Sequence, residues 1–442
     1  MKLEALSELM RTAGVVGAGG AGFPSYAKLN MAADTLILNC SECEPLLKLH
    51  RQVLARYARE ILMTLSEIAD TLAADRVIVA VKEEYSEAVA AVKATMGDYP
   101  KVQIKELDAF YPAGDEVVTV YETTGRVIAP GALPISVGCI VYNVETIYNV
   151  WRAWKQNASV THKFVTIAGE VQTPCTLRVP LGMRFGELIA IAGGATEKDT
   201  VVWTGGPMTG RIASADEVVT KTTNAILVMP KDDYIVQKRL TPLTISVKRA
   251  MAACCQCRMC TDLCPRNQLG MPITPHKVMN AVASGVSHDS TAFLGTFSCS
   301  SCGLCEMYSC RQGLNPAGII AATRNELRKN GVMPPKGLTS APVNPTRAYR
   351  KVPMSRLIST LGLTKYDVAA PLLDVEITSG HYRVMLSQHI GAPATAVVAI
   401  GDAVKMGDVL GSFDAEKLGV AIHAPADGTV VEITDRYVEL RA

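Results

Sequence analysis

The sequence predicts a multidomain α/β protein, and three observations carry that reading. The chain has 442 residues, enough for roughly two to four domains. Hydrophobic residues make up 48% of it, so several cores can be filled. Its texture also changes along its length. Apolar strands alternate with amphipathic helices up to about residue 160, then come short β-type runs, a cysteine-rich helical stretch, and short strands again.

Residues 1–160 form the first domain. Leu3, Leu6, Leu9 and Met10 mark one helix face, and a glycine-rich loop, Gly14–Gly22, follows. Leu36-Ile37-Leu38 reads as a buried strand and Arg76–Val81 as a second. Helical stretches are expected at Leu46–Leu72 and Ser86–Met96, then a strand at Val137–Tyr142 and a helix through Trp151. Residues 161–240, opening with KFVTIAGEVQTPCTLRVP, read as a small β-rich domain of grasp-like order. Residues 241–331 carry the cysteines among helices at His276–Ser284 and Pro316–Lys329. Residues 332–376 hold Pro334, Pro335, Pro342, Pro345 and Pro353 and are expected to be a linker. In 377–442 short strands return, with turns at Gly401-Asp402, Gly407-Asp408 and Asp427-Gly428.

Composition excludes some classes. A formal charge of +2 leaves no basic surplus for nucleic acid. No apolar run approaches the ~18 residues of a membrane span, and MKLEALSELMRTAG lacks an apolar signal core. A cytoplasmic protein is expected. Thirteen cysteines, an odd number in a reducing compartment, argue against a disulfide framework.

Eight of those cysteines form two runs: Cys254-x-x-Cys257-x-x-Cys260-x-x-x-Cys264-Pro265 and Cys299-x-x-Cys302-x-x-Cys305-x-x-x-x-Cys310. Three thiolates on a tight loop plus a remote fourth suit a cubane 4Fe-4S cluster. Zinc also takes four thiolates, but its sites usually pair two C-x-x-C units. In ferredoxins the proline-flanked cysteine ligates the other cluster. The expectation is therefore crossed: Cys264 joins Cys299, Cys302 and Cys305, and Cys310 joins Cys254, Cys257 and Cys260. Cys255 competes with Cys254. Two clusters make a wire for single electrons.

Gly17-Ala18-Gly19-Gly20-Ala21-Gly22 satisfies G-x-G-x-x-G, but a helix precedes it where the dinucleotide fingerprint needs a strand. An ordinary Rossmann NAD site is thereby disfavoured. A phosphate cradle assisted by Lys28 and a plain tight turn both stay open.

Four blocks in order resemble one family: Gly17-x-Gly19-Gly20-Ala21-Gly22-Phe23-Pro24-Ser25-x-x-Lys28, Asn39-Cys40-Ser41-Glu42-Cys43-Glu44-Pro45, Tyr111-Pro112-Ala113-Gly114-Asp115-Glu116 and Asn143-Val144-Glu145-Thr146. They resemble the NADH-oxidising flavin subunit of respiratory complex I and the C subunit of the Rnf complex. The resemblance implies a Rossmann-like domain holding FMN, with NADH as electron donor. It implies cofactor contacts from Gly17, Gly19, Gly20, Gly22, Lys28, Asn39, Asn143 and Thr146. It places Glu42, Glu44, Asp115 and Glu116 near the ribityl chain or the nicotinamide ribose, whose hydroxyls carboxylates can accept. Phe23 either stacks on the nicotinamide or fills the core beneath the loop.

Val165–Tyr234 resembles the β-grasp module that follows the flavin domain in these families. Residues 241–331 then form a helical, ferredoxin-like two-cluster domain. The segments His389–Pro393, Gly401–Asp408 and His423–Val430 resemble a biotinyl/lipoyl-like barrel-sandwich, a module found at the start of the chain in the Rnf proteins. Lys417 falls near a lipoyl-lysine position but reads as a surface residue. The whole order resembles the cobalamin reductases of propanediol-utilisation microcompartments. That implies cobalamin as acceptor, with an adenosyltransferase and shell proteins as partners. The rival is an Rnf-like protein passing electrons between NADH and a ferredoxin or membrane partner. No Asp-x-His-x-x-Gly corrinoid motif is present among the seven scattered histidines.

Overall fold

Helix α1 (Leu3–Thr12) buries Leu6 and Met10 against the first domain, as its spacing predicts. The computed structural model describes residues 1–285 and 290–442; His288 lies outside them. After the glycine loop the chain alternates: β1 (Thr35–Cys40), α2 (Leu49–Arg56), α3 (Ala58–Thr71), β2 (Arg76–Lys82), α4 (Ser86–Thr95), β3 (Val102–Leu107), α5 (Glu116–Thr124), β4 (Cys139–Asn143) and α6 (Val144–Gln156). The four strands are parallel in the order β3-β2-β1-β4. The central strands are buried along almost their whole length, which explains their continuous apolar runs. Strand order reverses between β1 and β4, and such a reversal opens a crevice at the strands' carboxyl ends. Asn39 and Asn143 are paired across that point.

The second domain is a five-stranded mixed sheet. Its strands are β5 (His162–Gly169), β6 (Cys175–Pro180), β7 (Thr200–Thr204), β8 (Arg211–Ala213) and β9 (Ala225–Pro230), in the order β6-β5-β9-β7-β8. Helix α7 (Phe185–Ile191) packs on it through Phe185 and Leu188. In the cysteine-rich region, helices Leu243–Ala253, Pro275–Ser284 and Pro316–Lys329 bury Ala250, Val278, Met279, Ile319 and Ile320. These side chains share one core with Val117, Val118 and Ile128 of the first domain. The last segment folds as two facing sheets enclosing Tyr382, Val384, Leu410, Ile422, Val438 and Leu440.

The expected linker, residues 332–376, is not a free tether. Val352 pairs antiparallel with Tyr111, and helix Met354–Thr360 buries Met354, Leu357 and Ile358. Leu361, Leu363 and Tyr366 join the same core. The proline count hid an apolar face spaced for a helix. Among the described residues no helix is long and apolar enough to cross a membrane.

The modules are stapled together at named atoms. The Lys221 ammonium donates to Gly14 O at 2.8 Å and Ala421 O at 2.9 Å, joining the first, second and last modules. Glu145 and Lys163 form a buried ion pair between the first two, and Glu145 also accepts from Phe164 N at 3.0 Å.

Candidate functional site

A cavity of about 490 Å³ opens at the strand-order reversal. One wall is the first domain: Gly19, Gly20, Asn39, Glu42, Cys43, Glu44, His50, Gly114 and Asn143. The other is the second domain, through Thr204–Gly206, Thr209–Arg211, Glu217 and the run Thr220, Thr222, Thr223, Asn224. Two local designs hold the first wall. Asn143 caps α6, its Oδ1 accepting from Glu145 N at 3.0 Å, so the helix's amino end faces the glycine loop. Asn39 spans the crevice, its Nδ2 donating to Gly114 O at 2.9 Å. A side chain at Gly19 would have to displace the Asn143 amide, because a Cβ there would lie 2.5 Å from Asn143 Nδ2.

The predicted residues divide into groups. Gly19, Gly20, Asn39, Glu42, Glu44 and Asn143 meet in this cavity. Phe23, Lys28 and Glu116 line a second, mainly apolar cavity of about 200 Å³ with Leu133, Pro134 and Ile135. There Lys28 Nζ pairs with Glu116 at 2.8 Å and donates to Val141 O at 2.8 Å. Gly17 and Thr146 support the glycine loop from behind: Gly17 N donates to Phe23 O at 2.9 Å and Ala18 N to Thr146 Oγ1 at 2.9 Å. Gly22 has φ +77° and sits against Gln388 and His389 of the last module.

One acid lies outside both cavities, and another reaches the larger one already engaged. Asp115 does not line either cavity. It caps α5, accepting from Val117 N at 3.0 Å and Val118 N at 3.2 Å, and it pairs with Arg266 at 2.8 Å. Glu44 reaches the cavity but is already engaged, accepting from Met208 N at 2.8 Å and Thr209 Oγ1 at 2.6 Å. Burial raises its pKa. Gly206 makes room for it, since a Cβ there would collide with the Glu44 side chain. Glu42 accepts from His50 N at 3.0 Å and Arg51 Nε at 3.3 Å. Burial opposes its charge, but Arg51 and the hydrogen bond from the His50 backbone N–H outweigh it and hold the carboxyl low. His50 and the threonine run were not foreseen. Their place depends on how two domains dock, which no local motif records.

The cysteines lie in two neighbourhoods, although among the described residues no three of them are close enough as they stand to form a metal-holding group. Burial pushes Cys260 up to about 12, and its thiol neighbours are Cys310, Cys257 and Cys254. Burial likewise puts Cys302 at about 12, beside Cys264 and Cys299. Cys305 is raised further, among Cys302, Cys299, Cys264 and Cys260. Cys254 packs against the core while Cys255 is exposed. The two loops also share a backbone winding. Gln256 and Arg258 have positive φ in the first, and Ser301 and Gly303 at the matching positions of the second. Left-handed backbone is costly at the non-glycine positions. It curls each loop, and Ser301 N donates to Cys299 Sγ at 3.3 Å. The second set adjoins the first domain, where the Tyr111 hydroxyl donates to Cys302 O at 2.5 Å.

Known families match in the same order. Residues 10–152 match the Nuo51 FMN-binding domain and 164–212 the SLBB domain. Residues 253–315 match the 4Fe-4S dicluster domain and 370–442 the RnfC barrel sandwich hybrid domain. The chain is 38% identical to "Cobalamin reductase PduS" of Salmonella typhimurium, over 99% of this chain and 96% of that one. The chain belongs to the cobalamin reductase family. The family member from Citrobacter freundii is also 38% identical, over 98% of this chain and 96% of its own. The C subunit of the ion-translocating oxidoreductase complex of Edwardsiella ictaluri is 31% identical over 60% of this chain and 32% of its own length. The chain thus carries an FMN-binding domain and a 4Fe-4S dicluster domain within a multidomain α/β oxidoreductase.

Proposed function

We propose that this protein carries electrons from NADH, through FMN and two 4Fe-4S clusters, to cobalamin, lowering the cobalt toward cob(I)alamin. The observation that carries the proposal is the contact between the two redox modules. Tyr111, two residues from the Ala113-Gly114 edge of the flavin crevice, donates to the carbonyl of a cluster cysteine. Arg266, two residues from Cys264, pairs with Asp115 of the same block.

The larger cavity suits FMN. Its volume falls in the usual ligand range. The amino end of α6 and the glycine loop offer N–H groups to a phosphate, and Asn39 and Asn143 supply amides. When bound, FMN takes the two electrons of a hydride together and passes them on singly. The smaller cavity, with Phe23 beside Lys28 and Glu116, suits part of NADH. Glu44 and Asp115 serve by holding the β-grasp loop and the cluster loop in place.

Our reading is crossed ligation, supported by the nearness of Cys260 to Cys310 and of Cys302 to Cys264. Cys264, Cys299, Cys302 and Cys305 hold the cluster nearer the flavin crevice. Cys254, Cys257, Cys260 and Cys310 hold the outer one. Cys257 and Arg258 are exposed, which makes that loop the exit. The likeness to a cobalamin reductase supports work in a propanediol-utilisation microcompartment, with an adenosyltransferase taking up the reduced corrinoid.

The test is anaerobic purification with iron, sulfide and flavin counts, then NADH titration with aquocobalamin. Two clusters, one FMN, bleaching of the flavin and a reduced corrinoid spectrum are expected. Bleaching without corrinoid reduction would overturn the acceptor. Reduction of a ferredoxin in its place would favour the Rnf-like reading.

A further inference from the structure

His50, the second residue of α2, lines the larger cavity, is 5% exposed, and among the described residues has no hydrogen-bond partner for its Nε2. We infer that His50 donates a hydrogen bond from Nε2 to an acceptor atom of the flavin nucleotide bound there. The inference rests on the FMN reading of the cavity.

The proton's place follows from neighbouring bonds. Asn143 Oδ1 is occupied by Glu145 N at 3.0 Å. That fixes the amide and turns its Nδ2 toward His50 Nδ1, 3.4 Å away. An amide nitrogen has hydrogens to give and nothing to accept with. Nδ1 must then be the acceptor. Glu42 Oε1 lies 3.7 Å from Nδ1, too far for a hydrogen bond, and already accepts from His50 N. Burial pushes the ring's pKa down to about 4, so it is neutral near pH 7 and carries one N–H. With Nδ1 accepting, that N–H is on Nε2.

A buried donor left without an acceptor is destabilising. Among the described residues none accepts from Nε2, whereas a flavin nucleotide offers ring nitrogens, carbonyls, ribityl hydroxyls and phosphate oxygens. A simple spacer between Glu42 and Asn143 would not need the outer nitrogen.

The test titrates FMN and riboflavin into flavin-depleted, cluster-loaded wild type, H50L, H50N and H50Q, reading dissociation constants and the flavin's visible bands. His50→Gln can place an amide N–H near Nε2; His50→Asn reaches only as far as Nδ1. H50L and H50N should bind FMN about ten-fold more weakly, with shifted bands, and H50Q within about three-fold of wild type. An equal loss with riboflavin assigns the acceptor to the ring or ribityl chain; a loss confined to FMN assigns it to the phosphate. FMN binding by H50L or H50N as tight as wild type would overturn the inference, as would H50Q weakened as much as H50N. If wild type itself bound no flavin, the FMN reading would fail first.

Discussion

Asp115→Ala and Asp115→Asn separate two jobs done by one carboxylate. Its Oδ1 caps α5, and its Oδ2 accepts from Arg266 Nη2 at 2.8 Å and Nε at 3.2 Å. Losing a cap costs about 1 kcal/mol. Breaking a buried ion pair costs about 3–5 kcal/mol because the partner charge is stranded. Arg266 keeps 18% of its side-chain surface in water, so the lower end applies. D115A should lose about 4 kcal/mol in all, and D115N about 3, since asparagine caps as well as aspartate. The assay is anaerobic urea titration of the holoprotein, read by FMN fluorescence on release and by cluster absorbance. Both signals should move to lower urea together, because the pair ties the two modules. D115N within about 0.5 kcal/mol of wild type would show that the pair adds nothing. Equal losses in the two variants would show that the cap is idle.

Three further outcomes are expected. C310S should remove the outer cluster's signal and C264S the inner one's, by iron count and electron paramagnetic resonance; the reverse pattern would mean uncrossed ligation. G19A should weaken FMN binding at least ten-fold, since the added methyl displaces the Asn143 amide, and retention of wild-type affinity would contradict the crevice geometry. Burial lowers the Lys221 ammonium from its ordinary 10.5 to about 7. Between those values the unfolded chain binds a proton that the folded chain does not, so stability should rise with pH by about 1.4 kcal/mol per unit. K221M should flatten that rise, as pH-dependent urea unfolding would show.

Legibility followed locality. The cysteine runs were readable because a cluster loop is a short-range object, and the shared positive-φ winding is written in the same few residues. Asn39 and Asn143 were readable as blocks, but their adjacency comes from the β3-β2-β1-β4 order. The hydrogen-bond partners of Glu44 and the ion-pair partner of Asp115, namely Met208, Thr209 and Arg266, lie more than a hundred residues away and leave no mark in either block. The stretch after Pro353 reads as linker because proline density outweighs the spacing of Leu357, Ile358 and Leu361, which the structure buries. His50 carried no signal at all, since an imidazole's meaning depends on what faces each nitrogen.

The last module rests on the first helix. Arg11 gives hydrogen bonds to the carbonyls of Asp414, Ala415 and Lys417, its own carbonyl accepts from Ala421 N at 3.2 Å, and Gly22 lies against His389. The barrel-sandwich is thus held by the opening helix and the glycine loop at once. Loosening that seat would free both together, so the order of the crevice depends on a module that supplies none of the described residues lining it.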